Sequence, residues 1–239
     1  MFLHLRSFKK TLVTRFLSLW KNTMPGYKTR LLDVTVGQLN LRLKALKDNN
    51  QYFDPDKLSE NAGVAPANWS FFGQLWPAAQ VLANAVKKID IAEKRIIELG
   101  CGLGLPSLVL KHRNADITAS DRHPLSRFFL ESNSLLNHIA PIPFVNLSWE
   151  KPDLNVGKFD VIIASDVLYE RDHATLLAEL IHKIAEPIAK VMVTCPGRGH
   201  RNKLSKLLME QGFTVDQERL GFNSEELPPF KGRLLTYKR

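Results

Sequence analysis

Two cysteines in 239 residues, Cys101 and Cys195, are too few for a disulfide framework. Both fall at the ends of expected strands and read as small buried residues of a reducing compartment. Long hydrophobic runs are also missing: no stretch approaches the roughly 18 uncharged residues needed to span a bilayer. Acids are absent from residues 1–32, which hold seven basic side chains, whereas the remaining 207 residues carry 26 basic and 24 acidic ones. Of the net charge of +9, seven units therefore belong to residues 1–32 and only two to the rest. The rest of the chain lacks the basic footprint that nucleic-acid binding calls for, and no nucleic-acid partner is expected. The seven histidines are scattered, so no cluster has metal-ligand spacing and no metal is expected. Repeats and low-complexity segments are lacking as well.

What the leader does contain is Leu5, Phe8, Leu12, Phe16 and Leu19 at helical spacing, with charges that interrupt any secretory core. Three readings stand: a basic amphipathic helix making peripheral contact with a membrane or a partner, an organelle presequence, or residues translated ahead of a start at Met24. The expected compartment is the cytoplasm, or the mitochondrion if the leader is a presequence. Residues 1–28 are set apart as leader. Residues 29–239 form one α/β domain, with a hairpin and cap over 29–90 and a ligand-binding sheet over 91–239.

Alternation of Leu32, Val34 and Val36, then Leu39, Leu41 and Leu43, predicts a hairpin turning near Gly37. Residues 47–68 are polar and rich in turn formers, and read as a surface loop or a cover for the site. Pro77 suits the first position of a helix whose Ala78, Val81, Leu82, Ala85 and Val86 share a face. Trp76 precedes it, as a packing staple or a shield for a ligand.

The centre of the chain is Arg95-Ile-Ile-Glu-Leu-Gly-Cys-Gly-Leu-Gly104, a short apolar strand running into a glycine turn, with a helix beginning at Leu105. Glycines at 100, 102 and 104 allow φ > 0 and a close approach of backbone to ligand. The spacing is not Gly-x-Gly-x-x-Gly, and Glu98 before the turn would repel a pyrophosphate but accept hydrogen bonds from an amino group or from water around a cation. A ligand without phosphates is favoured. Asp121 ends the next expected strand, 116–121, 21 positions after Gly100, where an acid can bind two ribose hydroxyls; it can equally cap a helix. A helix over 124–137, strands at 142–147 and 159–169, a helix over 174–185, a strand at 190–195, a helix over 202–211 and strands at 213–215 and 233–237 complete a doubly wound, mostly parallel sheet of seven.

These residues resemble the seven-strand, class I S-adenosylmethionine-dependent methyltransferases. Within that group they are most similar to the lysine methyltransferase-like family 16, once labelled nicotinamide N-methyltransferase-like. The resemblance runs from about residue 29 to 239, through Gly73-x-x-Trp76-Pro77, the Glu98–Gly104 turn, Asp121-Arg122, Leu147-Ser-Trp149 and Ser165-Asp-Val-Leu-Tyr169. It implies S-adenosylmethionine as cofactor, held by Gly100, Cys101, Gly102 and Gly104, with Asp121 on the ribose and Arg122 beside it. Trp149 would pack on adenine, Ser165 would lie against the cofactor and Trp76 would close over it. On the acceptor side Asp166 would orient an amine, with Tyr169, read as one helical turn on, as its aromatic wall. The implied acceptor is a lysine of a partner protein; a small amine, another protein side chain, or an inactive cofactor-binding module are the rivals. No Asn/Asp-Pro-Pro-aromatic run follows the fourth strand, as amino-methylating enzymes of nucleobases or glutamine would require. The run Cys195-Pro-Gly-Arg-Gly-His200 carries more glycine and proline than the family pattern.

Overall fold

The alternation read over residues 29–46 forms two strands, β1 (Thr29–Val36) and β2 (Leu39–Leu46), paired antiparallel with Val36 opposite Leu39. Gly37 makes the turn at φ +64°. The computed structural model describes residues 27–54, 56–197, 199–220 and 230–239. The leader reading lies outside these, apart from its last two residues.

After a short helix α1 (Leu58–Asn61) and a 3₁₀ segment (Pro66–Gly73), helix α2 (Pro77–Val86) starts on Pro77, with Trp76 at its N-cap. Then β3 (Arg95–Leu99), α3 (Leu105–His112), β4 (Asp116–Asp121), α4 (Ser126–Leu136) and β5 (Phe144–Asn146) follow. The chain continues through β6 (Phe159–Ser165), α5 (His173–Ile184), β7 (Ala185–Cys195), α6 (Arg201–Glu210), β8 (Thr214–Leu220) and β9 (Gly232–Lys238). The sheet order is β5-β4-β3-β6-β7-β9-β8, parallel from β5 through β7, with β9 antiparallel to both its neighbours. The expected architecture is therefore the one observed.

Several boundaries differ from the sequence reading. The third parallel strand is shorter, because Pro141 and Pro143 cannot donate to a ladder and pairing begins only at Phe144. The fourth ends at Ser165, four residues before Tyr169. The fifth is longer: Ala185 already pairs with Phe159, and the register then shifts before Lys190 meets Val161.

Strand pleating sorts the core into two layers. Ile97, Leu99, Ile162, Ala164, Val191 and Val193 face α5 and α6, whereas Ile96, Ile117, Ile163 and Met192 face α2, α3 and the hairpin. The chain leaves β3 in one direction to β4 and β5 and later returns to β6 on its other side. That reversal opens a crevice at the carboxyl ends of β3, β4 and β6, the place where open α/β sheets take their ligands. Among the described residues no helix is long and apolar enough to cross a membrane.

Candidate active site

A cavity occupies this crevice, lined by Gly100–Leu105 after β3, Asp121–His123 after β4, Leu147–Glu150 after β5 and Ser165–Val167 with Tyr169 after β6. The cap segment roofs it with Asn68, Phe71, Phe72 and Trp76. Of the two readings for residues 47–68, part of the cover reading holds, since Val64 and Asn68 line the cavity.

The glycine turn is as tight as its composition requires. Gly100 and Gly102 stand at φ +67° and +52°, a region costly to residues with a Cβ. A Cβ on Gly102 would lie 2.9 Å from the Phe72 carbonyl oxygen, and one on Gly100 would lie 2.9 Å from a methyl of Val167. The turn is thus packed between the roof and the loop after β6. Asp121 accepts from the Gly102 N–H at 2.9 Å through one carboxylate oxygen and from the His123 N–H at 2.8 Å through the other. A carboxylate offers about four lone-pair sites, so capacity for an incoming hydroxyl remains beside these two N–H groups and the Ser126 hydroxyl. Burial raises its pKa, against these N–H donors, which lower it. The glycine cradle and the partly used acid suit a neutral diol beside an uncharged backbone wall, as an adenosyl group would need.

Cys101 lines the same wall, and burial raises its thiol well above the ordinary value, keeping it neutral. Gly104, at φ +78°, is the N-cap of α3 and closes the turn. Arg122 lines the cavity with its guanidinium directed to Glu170 at 3.4 Å, and its charge lies near enough to Tyr169 to oppose the rise of that hydroxyl's pKa. Trp149 is half-buried at the far wall, and Trp76 is half-buried in the roof with its indole N–H donated to the Phe71 carbonyl at 2.9 Å. Ser165 sits at the mouth of β6.

Glu98 does not join them. On β3 it shares the pleat of Ile96, so its side chain enters the α3 layer rather than the cavity. There it is fully buried, and its carboxylate accepts from the Ser107 N–H at 3.0 Å and from the Ser107 hydroxyl. Burial pushes its pKa up to about 8, opposed by the Ser107 hydrogen bonds. The acid expected to meet the ligand instead braces the helix behind the turn.

Asp166 has φ +51°, a conformation that costs a residue with a Cβ roughly 1–3 kcal/mol and persists where its surroundings impose it. Here the Asp166 N–H donates to the Thr194 carbonyl at 2.9 Å, and the Thr194 hydroxyl donates to Ala78 at 2.9 Å, tying the loop to β7 and α2. Tyr169 stands edge-on to Phe71 with ring centroids 5.8 Å apart. The residues from Asp166 to Tyr169 are not helical, because α5 begins only at His173. The loop, not a helical turn, brings acid and tyrosine to one cavity. Burial raises the Tyr169 pKa, opposed by Arg122, so its hydroxyl stays protonated at neutral pH.

The sequence reading did not assign Asn68, Phe71, Phe72, His123, Glu170 or His173. Phe71 and Phe72 announced themselves only as an aromatic pair before Trp76. His123 directly follows the Asp121-Arg122 pair; it is buried, stacked on Phe72 at 3.7 Å, and lowered to about 3 by burial. Among the described residues no group of three or more His, Cys, Asp or Glu is placed to hold a metal ion.

Comparison with known proteins adds the following. A family model described as lysine methyltransferase matches residues 65–210. The protein N-lysine methyltransferase METTL21A of Danio rerio is 28% identical over 150 residues, covering 60% of this chain and 69% of the relative. The electron transfer flavoprotein beta subunit lysine methyltransferase of Rattus norvegicus is 27% identical over 192 residues, covering 69% of this chain and 72% of the relative. Among solved structures, the T. Thermophilus 16S rRNA N2 G1207 methyltransferase RsmC, in complex with AdoMet and guanosine, superposes with a TM-score of 0.61 at 12% identity. It shares the fold over 88% of this chain, which spans 50% of that longer protein.

Proposed function

This chain belongs to the lysine methyltransferase family, and on that premise we propose that its acceptor is a lysine side chain of a partner protein, received at the end of β6 by Asp166 and Tyr169. It is an S-adenosylmethionine-dependent methyltransferase. One observation carries the acceptor reading: Asp166, in a costly backbone conformation, shares a cavity with Tyr169, the glycine turn and Asp121. Strain of this kind gathers at working sites.

In this reading Gly100, Cys101 and Gly102 hold the cofactor's backbone-facing side, Asp121 takes the ribose hydroxyls, and Trp149 and Trp76 cover the adenosyl and sulfonium ends. When bound, S-adenosylmethionine supplies a methyl group on an already activated sulfonium, so the protein's task is alignment and exclusion of water. A lysine amine, with a pKa near 10.4 in water, must be neutral to attack. The aromatic wall that Phe71 and Tyr169 form on one side of the cavity, packed edge to face, disfavours its charged form by desolvation. The Asp166 carboxylate accepts an N–H of the amine and turns its lone pair toward the methyl group. Glu150, exposed at the rim, suits an approaching cation.

The test separates the two sides of the cavity. Asp121→Ala should weaken S-adenosylhomocysteine binding by tenfold or more in calorimetry, about 1.4 kcal/mol or above. Asp166→Asn should bind it as the wild type does, yet transfer at least about a hundredfold less tritiated methyl to proteins of a cell lysate. Full transfer by Asp166→Asn would remove its assigned role. Binding without transfer by the wild type would favour the inactive cofactor-binding module.

A further inference from the structure

We propose that His173 positions the acceptor side of the cavity by donating its Nδ1 proton to the Val167 carbonyl oxygen, thereby holding Asp166 and Tyr169 in place. The proposal rests on the reading that these two residues face the acceptor. His173 opens α5 and is buried, 5% exposed, so its ring is a fixed part of the wall. Its Nδ1 lies 2.7 Å from the Val167 oxygen. A carbonyl only accepts, so Nδ1 carries the hydrogen and the ring's tautomer is set. Val167 directly follows Asp166, whose left-handed backbone needs support from both sides. Thr194 supplies it through the Asp166 N–H, and His173 supplies it through the next carbonyl.

The same ring meets both halves of the cavity. It stands edge-on to Tyr169, with centroids 4.6 Å apart, and edge-on to Trp149 at 5.5 Å. A shift of His173 would therefore move the acceptor wall and the cofactor wall together. Its Nε2 lies 3.3 Å from Glu170 and can donate to it only when the ring is protonated, so the Nδ1 bond to Val167 is the one the neutral ring makes. Glu170 itself accepts from the Asn68 amide at 2.8 Å and meets Arg122 at 3.4 Å, which join it to the roof and to the loop after β4. His173 touches none of the reacting atoms; it acts through the Val167 carbonyl, which fixes the loop that carries Asp166 and Tyr169.

Two variants of the full chain separate the hydrogen bond from the ring. His173→Phe keeps an aromatic wall and leaves the Val167 oxygen without its donor, whereas His173→Asn keeps a donor at the place of Nδ1 and gives up the ring. With tritiated S-adenosylmethionine at saturation and cell-lysate protein as acceptor, His173→Phe should label tenfold to about a hundredfold more slowly, while its S-adenosylhomocysteine Kd stays within about twofold of wild type. Hydrogen exchange over residues 166–170 should accelerate in the same variant. His173→Asn should recover most of the rate and most of the protection. Wild-type labelling by His173→Phe, or no gain of His173→Asn over it, would overturn the proposal. Should the wild type label no protein, the lysine reading fails, and exchange alone decides: equal protection in wild type and His173→Phe would dispose of the positioning role.

Discussion

Glu98 lies on the α3 face of β3 because strand side chains alternate, and that single fact converts an expected ligand contact into a buried brace. The residue types of the turn were legible in the sequence; which side of the sheet the acid took was not. Its titration offers a check. In the unfolded chain the carboxyl loses its proton near 4.5, but burial holds it until about 8 in the fold. Between those values the folded state binds the extra proton, so stability falls as pH rises through the window, by up to about 1.4 kcal/mol per unit. Glu98→Gln retains an oxygen for Ser107 and should flatten that slope in thermal melts between pH 5 and pH 8. Asp121 is also raised by burial and its charge repels an ionised Glu98, so the difference between the two proteins reports Glu98 together with that coupling. Parallel pH profiles would show that Glu98 is ionised in the folded state.

At the scale of the element, the hairpin was readable from alternation, but its docking was not. Asn133 on α4 and Asn137 at its C-cap, one turn apart, form a bracket for the outer edge of β2. Asn133 accepts from the Lys44 N–H at 2.6 Å and donates to the Lys44 and Leu103 carbonyls at 3.3 and 3.1 Å. Asn137 accepts from the Arg42 N–H at 2.7 Å and donates to its carbonyl at 2.8 Å. The edge strand is thereby satisfied by side chains instead of another strand. In a helical pattern such asparagines look like a polar surface, and no local rule says they will meet a strand 89 residues earlier. Asn133→Ala, leaving these groups unpaired in a buried place, should cost about 2–4 kcal/mol in urea unfolding. Asn137, on the more exposed side, should cost less; equal and small losses would mean that packing alone holds the hairpin. The loop after β6 teaches the same lesson: Asp-x-x-Tyr spacing was read as one helical turn, whereas Asp166 is left-handed and the helix waits until His173.

The whole molecule brings four strand ends and a roof onto one cavity, so a ligand there should tie β3, β4, β5, β6 and the cap together. Saturation with S-adenosylhomocysteine at about 100 times its Kd adds about 2.7 kcal/mol, which for a chain of this size raises Tm by roughly 5–10 °C. Asp121→Ala, binding tenfold or more weakly, should show at most about half of that shift at the same concentration, whereas Asp166→Asn should show all of it. A wild-type Tm indifferent to the ligand would argue against binding in this crevice.

By itself the sequence determined a doubly wound, mostly parallel sheet of seven strands, the glycine turn, the acid ending β4 and the acid and tyrosine after β6. Hydrophobic period, glycine spacing and strand-end position are local properties that one segment expresses alone. Only the tertiary structure decided that Glu98 turns away, that Phe71 and Phe72 descend from the cap, and that Glu170 gathers Asn68, Arg122 and His173. The Glu170 contacts to Arg122 and Asn68 span 48 and 102 residues of chain, and contacts at that separation are set by packing the layers together rather than by any pattern within them.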